Sequence, residues 1–365
     1  MKLSAEGVRI VKFGLFYQLP CSPEQSAPER YRETIEQIVL ADQLGFDVAW
    51  LAELHFFRSF STMPSPLMVA VAAAGRTRRI RLGTAVTLLP FHHPLRAAED
   101  AATADILSGG RLDYGAGRGT IALHFQGFGV NRDESRERFE EGLEIILRAW
   151  TEDSVNYKGR FYQIDSIAVE PRPLQKPHPP LRIAANSPET AEFAGRKGYD
   201  VLVASPINPV PGFYDHIRAY RTALKAGARP DYRGDVAALF FVCPQVSRAA
   251  ARSEAERSLM HYFHTIGEMA VVGGRGQYEG SYAYLKQVRD RAAAMNYEMV
   301  DETMAVYGPP EQCIARINDI YDHSGIDQLV CWFNAGGLIP HRDVMATMER
   351  FAAEVMPAVR GLGVG

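Results

Sequence analysis

Residues 98 to 119 read Ala98-Glu99-Asp100-Ala101-Ala102-Thr103-Ala104-Asp105-Ile106-Leu107-Ser108-Gly109-Gly110-Arg111-Leu112-Asp113-Tyr114-Gly115-Ala116-Gly117-Arg118-Gly119. The alanine-rich first half favours a helix, Ser108-Gly109-Gly110 stops it, and Arg111 to Tyr114 reads as a short strand. Gly115, Gly117 and Gly119 then alternate through a turn that carries Arg118. Such a turn lets the backbone approach a ligand and aim N–H groups at it, while a guanidinium offers a planar fork for a phosphate. The same residues also suit an ordinary tight turn with a surface arginine.

Outward from this stretch the chain keeps alternating. Upstream, strands are predicted at Val8 to Tyr17, Asp47 to Leu51 and Ile80 to Leu89, with helices from Pro28 to Gly45 and from Ser65 to Gly75 between them. Downstream come an amphipathic helix from Ser135 to Trp150, a hairpin over Val155 to Val169, and an irregular crossing rich in proline. Strands at Leu181 to Ala185, Val201 to Ala204, Val236 to Val242 and Gln328 to Phe333 complete a set of eight, each with a helix after it. Eight such units predict a parallel (β/α)8 TIM barrel, an α/β fold with insertions after strands 4 and 7. The chain then forms one domain over residues 1 to 365. Residues 265 to 301, the least regular part, are a candidate mobile lid.

Composition narrows the function. The 365 residues are 47% hydrophobic and 23% charged, with a formal charge of −3, which gives no electrostatic case for nucleic acid or an anionic membrane. No apolar run approaches the roughly 20 residues that span a bilayer, and Met1 to Gly7 has no apolar signal core, so a cytoplasmic enzyme is expected. Cys21, Cys243, Cys313 and Cys331 are scattered without a C-x-x-C pair and read as reduced core thiols.

In a barrel the chemistry collects just after the strands. Glu53 and His55 follow the second, His92 and His93 the third, Arg118 and His124 the fourth, and Asn186 and Ser187 the fifth. The first strand ends in Tyr17-Gln18-Leu19 rather than H-x-H, so no catalytic metal is expected, and no G-x-S-x-G elbow supports a nucleophilic triad. Asn186-Ser187-Pro188-Glu189-Thr190 opens a helix, where free N–H groups and hydroxyls favour an anion; Ser187 also suits a plain N-cap.

The run A-E-D-x-A-x-x-D-x-L-S-x-G-R-L-x-x-G-x-G-R-G over Ala98 to Gly119 resembles the bacterial luciferase-like family of flavin-dependent monooxygenases. So does the closing G-G-L-x-P-H-x-x-V-x-x-x-M-E-x-F-A-x-E-V-M-P of Gly336 to Pro357. The resemblance implies a TIM barrel that takes reduced FMN from a separate flavin reductase and uses O2 on an organic substrate. It places the flavin phosphate at Arg118, Asn186, Ser187 and Thr190, and a non-proline cis peptide under the ring at Ala85 and Val86. The family's catalytic histidine falls on Leu54 in Glu53-Leu54-His55-Phe56, which leaves His55 and Glu53 as candidates for catalysis and argues against the luminescent aldehyde reaction. A deazaflavin-dependent oxidoreductase and a non-catalytic flavin-binding protein are the rival readings.

Two further expectations concern partners. Alanines on the helices Ser65 to Gly75 and Leu95 to Leu107 leave faces flat enough for a homodimer, or for packing on the barrel. Aromatic residues crowd the strand ends and the long loop, among them Phe16, Phe60, Tyr278, Tyr282 and Trp332, which predicts a bulky, largely hydrophobic small-molecule substrate.

Overall fold

The computed structural model describes residues 11 to 361 apart from 228, 230, 273 to 289 and 291. Twelve strands are described. In chain order they are β1 (Lys12–Tyr17), β2 (Val48–Leu51), β3 (Arg81–Thr84), β4 (Thr87–Leu88), β5 (Leu112–Gly117), β6 (Val155–Lys158), β7 (Gln163–Ile167), β8 (Leu181–Ala184), β9 (Asp200–Ala204), β10 (Val236–Pro244), β11 (Ala305–Gly308) and β12 (Gln328–Trp332). Parallel pairing runs β12, β1, β2, β3, β5, β8, β9 and returns through β10 to β12, so the sheet closes on itself as an eight-stranded barrel. The TIM-barrel reading is therefore correct.

These strands form because they are short and apolar on both faces, as buried parallel strands must be; Val-Ala-Trp-Leu of β2 is wholly buried. The helices between them begin and end on local signals. Helix Ala27–Leu44 has Ser26 as its N-cap and stops at Gly45 in the left-handed region, and helix Pro188–Lys197 is capped by Ser187 and stopped by Gly198 in the same way. The hairpin expected over Val155 to Val169 is β6 paired with β7, antiparallel, outside the barrel.

One large side chain fills the barrel. Trp50 is fully buried and donates its indole N–H to Gln328 Oε1 at 2.7 Å, while the Arg182 guanidinium, paired with Asp235 at 2.9 Å, lies 5.7 Å from its ring. Gly83, its neighbour in register, leaves the room for it: a Cβ there would sit 2.2 Å from Trp50 Cε3.

Four local readings need correction. The third strand is not continuous from Ile80 to Leu89: it breaks after Thr84 at a cis peptide between Ala85 and Val86, resumes as β4, and ends in a 3₁₀ turn, Leu89–Phe91. Gly115 and Gly117 lie in strand β5 rather than in a turn. They are glycine because β3 passes too close for side chains: a Cβ at 115 would lie 2.0 Å from the Thr84 carbonyl oxygen, and one at 117 would lie 2.5 Å from Val86 Cγ2. Thr84 Oγ1 fills the gap in the ladder, donating to Gly115 O at 2.8 Å and accepting from Gly115 N at 2.9 Å. Only Gly119, φ +76°, has a turn conformation that asks for glycine.

The other two concern elements that were missed or cut short. Ala122–Phe128, for which the sequence suggested no element, is a helix, and β11 with helix Pro310–Ser324 adds a further parallel strand beside the end of β10. The helix after β10, Arg248–Val272, runs into the candidate lid, and Tyr297–Thr303 is helical, so the segment of 265 to 301 begins and ends in helix. The lid's centre, with Tyr278 and Tyr282, lies outside the described residues. On the two alanine-rich helices, Ala73, Ala74, Ala97, Ala98, Ala101, Ala102 and Ala104 are buried within the protomer, so packing on the barrel uses the faces proposed for a dimer.

Because the Trp50 ring is hemmed in on all sides, Gly83→Ala should destabilise the fold by about 1–3 kcal/mol, the usual cost of overpacking a core. Urea denaturation at pH 7 followed by tryptophan fluorescence measures this; an unchanged midpoint would show that the barrel interior can yield.

Candidate active site

The C-terminal ends of the barrel strands surround a cavity of about 350 Å³. Its floor is apolar, made of Phe16, Trp50, Leu239, Val330 and Trp332, and Ala85, Val86 and Leu88 form one wall. Opposite Phe16 and Trp332, the ends of β5 and β8 supply polar groups. Arg118 follows β5 directly and is buried; Asn186, Ser187 and Thr190 follow β8 and open helix Pro188–Lys197.

The geometry of this polar end suits an anion. Arg118 and Thr190 line both the main cavity and a smaller one of about 20 Å³ behind it, which Arg136 also borders. Ser187 Oγ accepts from Thr190 N at 3.4 Å and lies 3.0 Å from Thr190 Oγ1. Two hydroxyls and a helix N-terminus thus sit beside a buried guanidinium, a combination that binds phosphate through charge, hydrogen bonds and the helix dipole. Asn186 plays a second part: its Oδ1 accepts from Ala204 N at 2.9 Å and its carbonyl accepts from Asn208 Nδ2 at 3.1 Å, tying β8 to β9. Sequence reading missed Arg136. The signal was its place three residues before Phe139 on one helix face, which brings both to the same small cavity.

Glu53 also lines the cavity, but its carboxylate is committed. Oε1 accepts from His55 Nε2 at 2.9 Å and from His92 Nε2 at 2.8 Å, and Oε2 accepts from Leu88 N at 3.0 Å. Burial would raise its pKa, yet the hydrogen bonds from the two imidazoles, the charge on His92 and the backbone N–H hold it below the usual carboxylate value. For His92 burial works to lower the pKa, and the hydrogen bond and charge of Glu53, helped by Asp100, raise it. Glu53 and His55 therefore come together as the sequence suggested, but Leu54, not His55, faces the cavity. The His55 ring packs edge-on against Phe128 at 4.8 Å and against His124 at 5.3 Å.

His124 is the third imidazole of this cluster. Its Nε2 accepts the His55 backbone N–H at 3.2 Å, so Nδ1 carries the proton of the neutral ring, and Nδ1 is buried without a partner among the described residues. Burial, and then the nearby His55, push its pKa down to about 4. Among the described residues, no group of three or more His, Cys, Asp or Glu side chains could hold a metal ion.

A closed parallel barrel with a buried arginine and a helix N-terminus beside a largely apolar cavity at its C-terminal end defines a TIM barrel with its candidate site where such barrels carry their chemistry. The chain belongs to the luciferase-like monooxygenase family, whose sequence model matches residues 11–328.

Among relatives, a 181-residue stretch is 41% identical to the uncharacterised protein y4vJ of Sinorhizobium fredii; it covers 50% of this chain and 51% of that one, so the chain spans about half the length of that relative in the match. The flavin-dependent trigonelline monooxygenase oxygenase component of Acinetobacter baylyi is 28% identical over 95% of each chain. The crystal structure of monooxygenase RslO1 from Streptomyces bottropensis superposes with a TM-score of 0.79 at 30% identity, covering 95% of this chain and 99% of that one. The coenzyme F420-dependent tetrahydromethanopterin reductase of Methanopyrus kandleri shares the fold, with a TM-score of 0.71 at 22% identity over 96% and 100%.

Since His124 is neutral when folded down to about pH 4 but takes a proton near its ordinary 6.5 when unfolded, it contributes stability that is present above pH 6.5 and lost as pH falls toward 4. His124→Gln keeps an acceptor for the His55 N–H without a titrating ring. Urea unfolding at pH 6.5 and pH 4.5 should therefore show a smaller loss of stability in the variant than in the wild type. Equal losses would mean that His124 titrates normally.

Proposed function

We propose that the chain is the oxygenase component of a two-component flavin monooxygenase. It receives reduced FMN from a separate reductase and uses O2 to oxygenate a bulky, largely hydrophobic organic substrate. The observation that carries this reading is the buried Arg118 beside Ser187 and Thr190 at one end of a cavity whose other walls are largely apolar.

Bound reduced flavin supplies the electrons that activate dioxygen. The chain's own residues bind, orient and exclude water. Arg118, Ser187 and Thr190 hold the phosphate, with Arg136 behind them, and the Asn186 tie between β8 and β9 keeps the helix N-terminus in place. Ala85 and Val86 give an apolar wall, and the Phe16, Trp50 and Trp332 floor keeps the site dry. Glu53 holds the Nε2 protons of His55 and His92 and so positions the loop after β2; His55 acts through Glu53 rather than on the substrate directly.

Among the described residues no helix is long and apolar enough to cross a membrane, and the four cysteines are buried free thiols, which supports a cytoplasmic setting. The homodimer now rests on Met68 and Leu107, 75% and 59% exposed on the two alanine-rich helices, rather than on the alanines. A monomeric mass by light scattering at micromolar concentration would remove it.

Anaerobic titration with reduced FMN or reduced deazaflavin, followed by air, separates the three readings. A monooxygenase binds reduced FMN and changes its rate of reoxidation relative to free FMN. Preference for the deazaflavin, or tight binding with reoxidation kinetics unchanged, would favour the other two. Within the first reading, Arg118→Ala should weaken reduced-FMN binding by about 1.5–3 kcal/mol, the range for a lost charge-assisted hydrogen bond. Unchanged affinity in equilibrium dialysis would end the phosphate assignment.

A further inference from the structure

The cavity has a second end, away from Arg118, built by β1, β12, Phe60 and helix Arg248–Val272. Its walls are rings. Trp332 stands edge-on to Phe16 and to Tyr262, each at 4.8 Å between centroids, and Tyr262 lies parallel to Phe60 at 5.9 Å. Ile266 and Met269 continue the Tyr262 face of the helix along the cavity.

Among the described residues two polar groups interrupt this lining, and both are neutral. Gln18, 4% exposed, borders both this cavity and a smaller one beside Arg30, and its side-chain amide makes no hydrogen bond to the described residues. The Tyr262 hydroxyl likewise has none, and burial raises its pKa so that it remains a phenol. An amide and a phenol both donate and accept, and a ligand that displaced cavity solvent without meeting them would leave them unpaired at a cost. A ligand that meets them is therefore favoured over one that does not.

Among the described residues no charged side chain lines this end. Among the described residues the one carboxylate that lines the cavity, Glu53, already has its oxygens occupied by two imidazole N–H groups and a backbone amide, and Arg118 is at the opposite end. A cationic or anionic substrate would bury its charge against rings without a counter-charge.

We infer that this end of the cavity takes an uncharged, planar aromatic molecule bearing a hydroxyl or carbonyl group, which the Gln18 amide and the Tyr262 hydroxyl recognise. The inference rests on the flavin reading only in leaving the Arg118 end to the cofactor. Flat rings fit between edge-on and parallel aromatic walls, where such contacts add to simple burial. The hydrogen bond then selects among flat molecules of one size.

The test uses the whole protein at pH 7, titrated with 2-naphthol, naphthalene, decanal and trigonelline, with and without reduced FMN under anaerobic conditions, following quenching of tryptophan fluorescence. The expected result is that 2-naphthol binds about tenfold tighter than naphthalene, the size of one net hydrogen bond, and that both exceed decanal and trigonelline. Gln18→Leu should bring 2-naphthol to the level of naphthalene, and Tyr262→Phe should narrow the gap. Gln18→Met serves if the leucine variant melts early. A 2-naphthol advantage that survives in all of these variants, or stronger binding of trigonelline or decanal, would overturn the inference. Failure of reduced FMN to bind would overturn the proposed function instead, because the comparison of naphthol with naphthalene is also read without flavin.

Discussion

The site depends on one close approach between two strands. At Thr84 to Val86 the backbone of β3 and the residues after it press against β5 so tightly that residues 115 and 117 have no space for a Cβ. Three things follow from this contact. The Thr84 hydroxyl replaces the ladder hydrogen bonds that the displaced backbone gives up. Ala85 and Val86 become a smooth wall of the cavity, and Arg118, the next residue along β5, emerges at its rim.

Much of this was legible in the chain because the signals were local. Alternating apolar runs and helix stops located the eight barrel strands, although the third is broken after Thr84 and the fourth runs on through Gly117, and the Pro188 helix announced its own N-cap. Gly115-x-Gly117 carried a correct message with the wrong mechanism attached. Glycine in a strand and glycine in a turn look alike in sequence, and only the neighbouring backbone of β3 tells them apart. The break in the third strand was hidden for the same reason, since Gly83-Thr84-Ala85-Val86-Thr87 is as apolar and β-branched as an unbroken strand.

The missing elements were those whose meaning is set by distant partners. Ala305–Gly308 is only four residues long and is a strand because β10 outruns its barrel neighbours and offers it an edge. His55 looked like a residue aimed at the substrate because it follows a barrel strand. Its ring turns away because Glu53 accepts a hydrogen bond from its Nε2 and because Phe128 and His124, both from helix Ala122–Phe128, make an aromatic pocket for it.

The helix Arg248–Val272 supplies Tyr262, Ile266 and Met269 to the cavity from a single face, at steps of four and three residues. Arg118 stands just after β5, and Ser187 and Thr190 cap and open the helix after β8, so they share no element with that face. The barrel thus divides its tasks between two sectors of its rim. Variation along one helical stripe can redraw the substrate chamber while the anion-holding sector stays as it is, so descendants of one scaffold can change what they act upon without rebuilding what they hold.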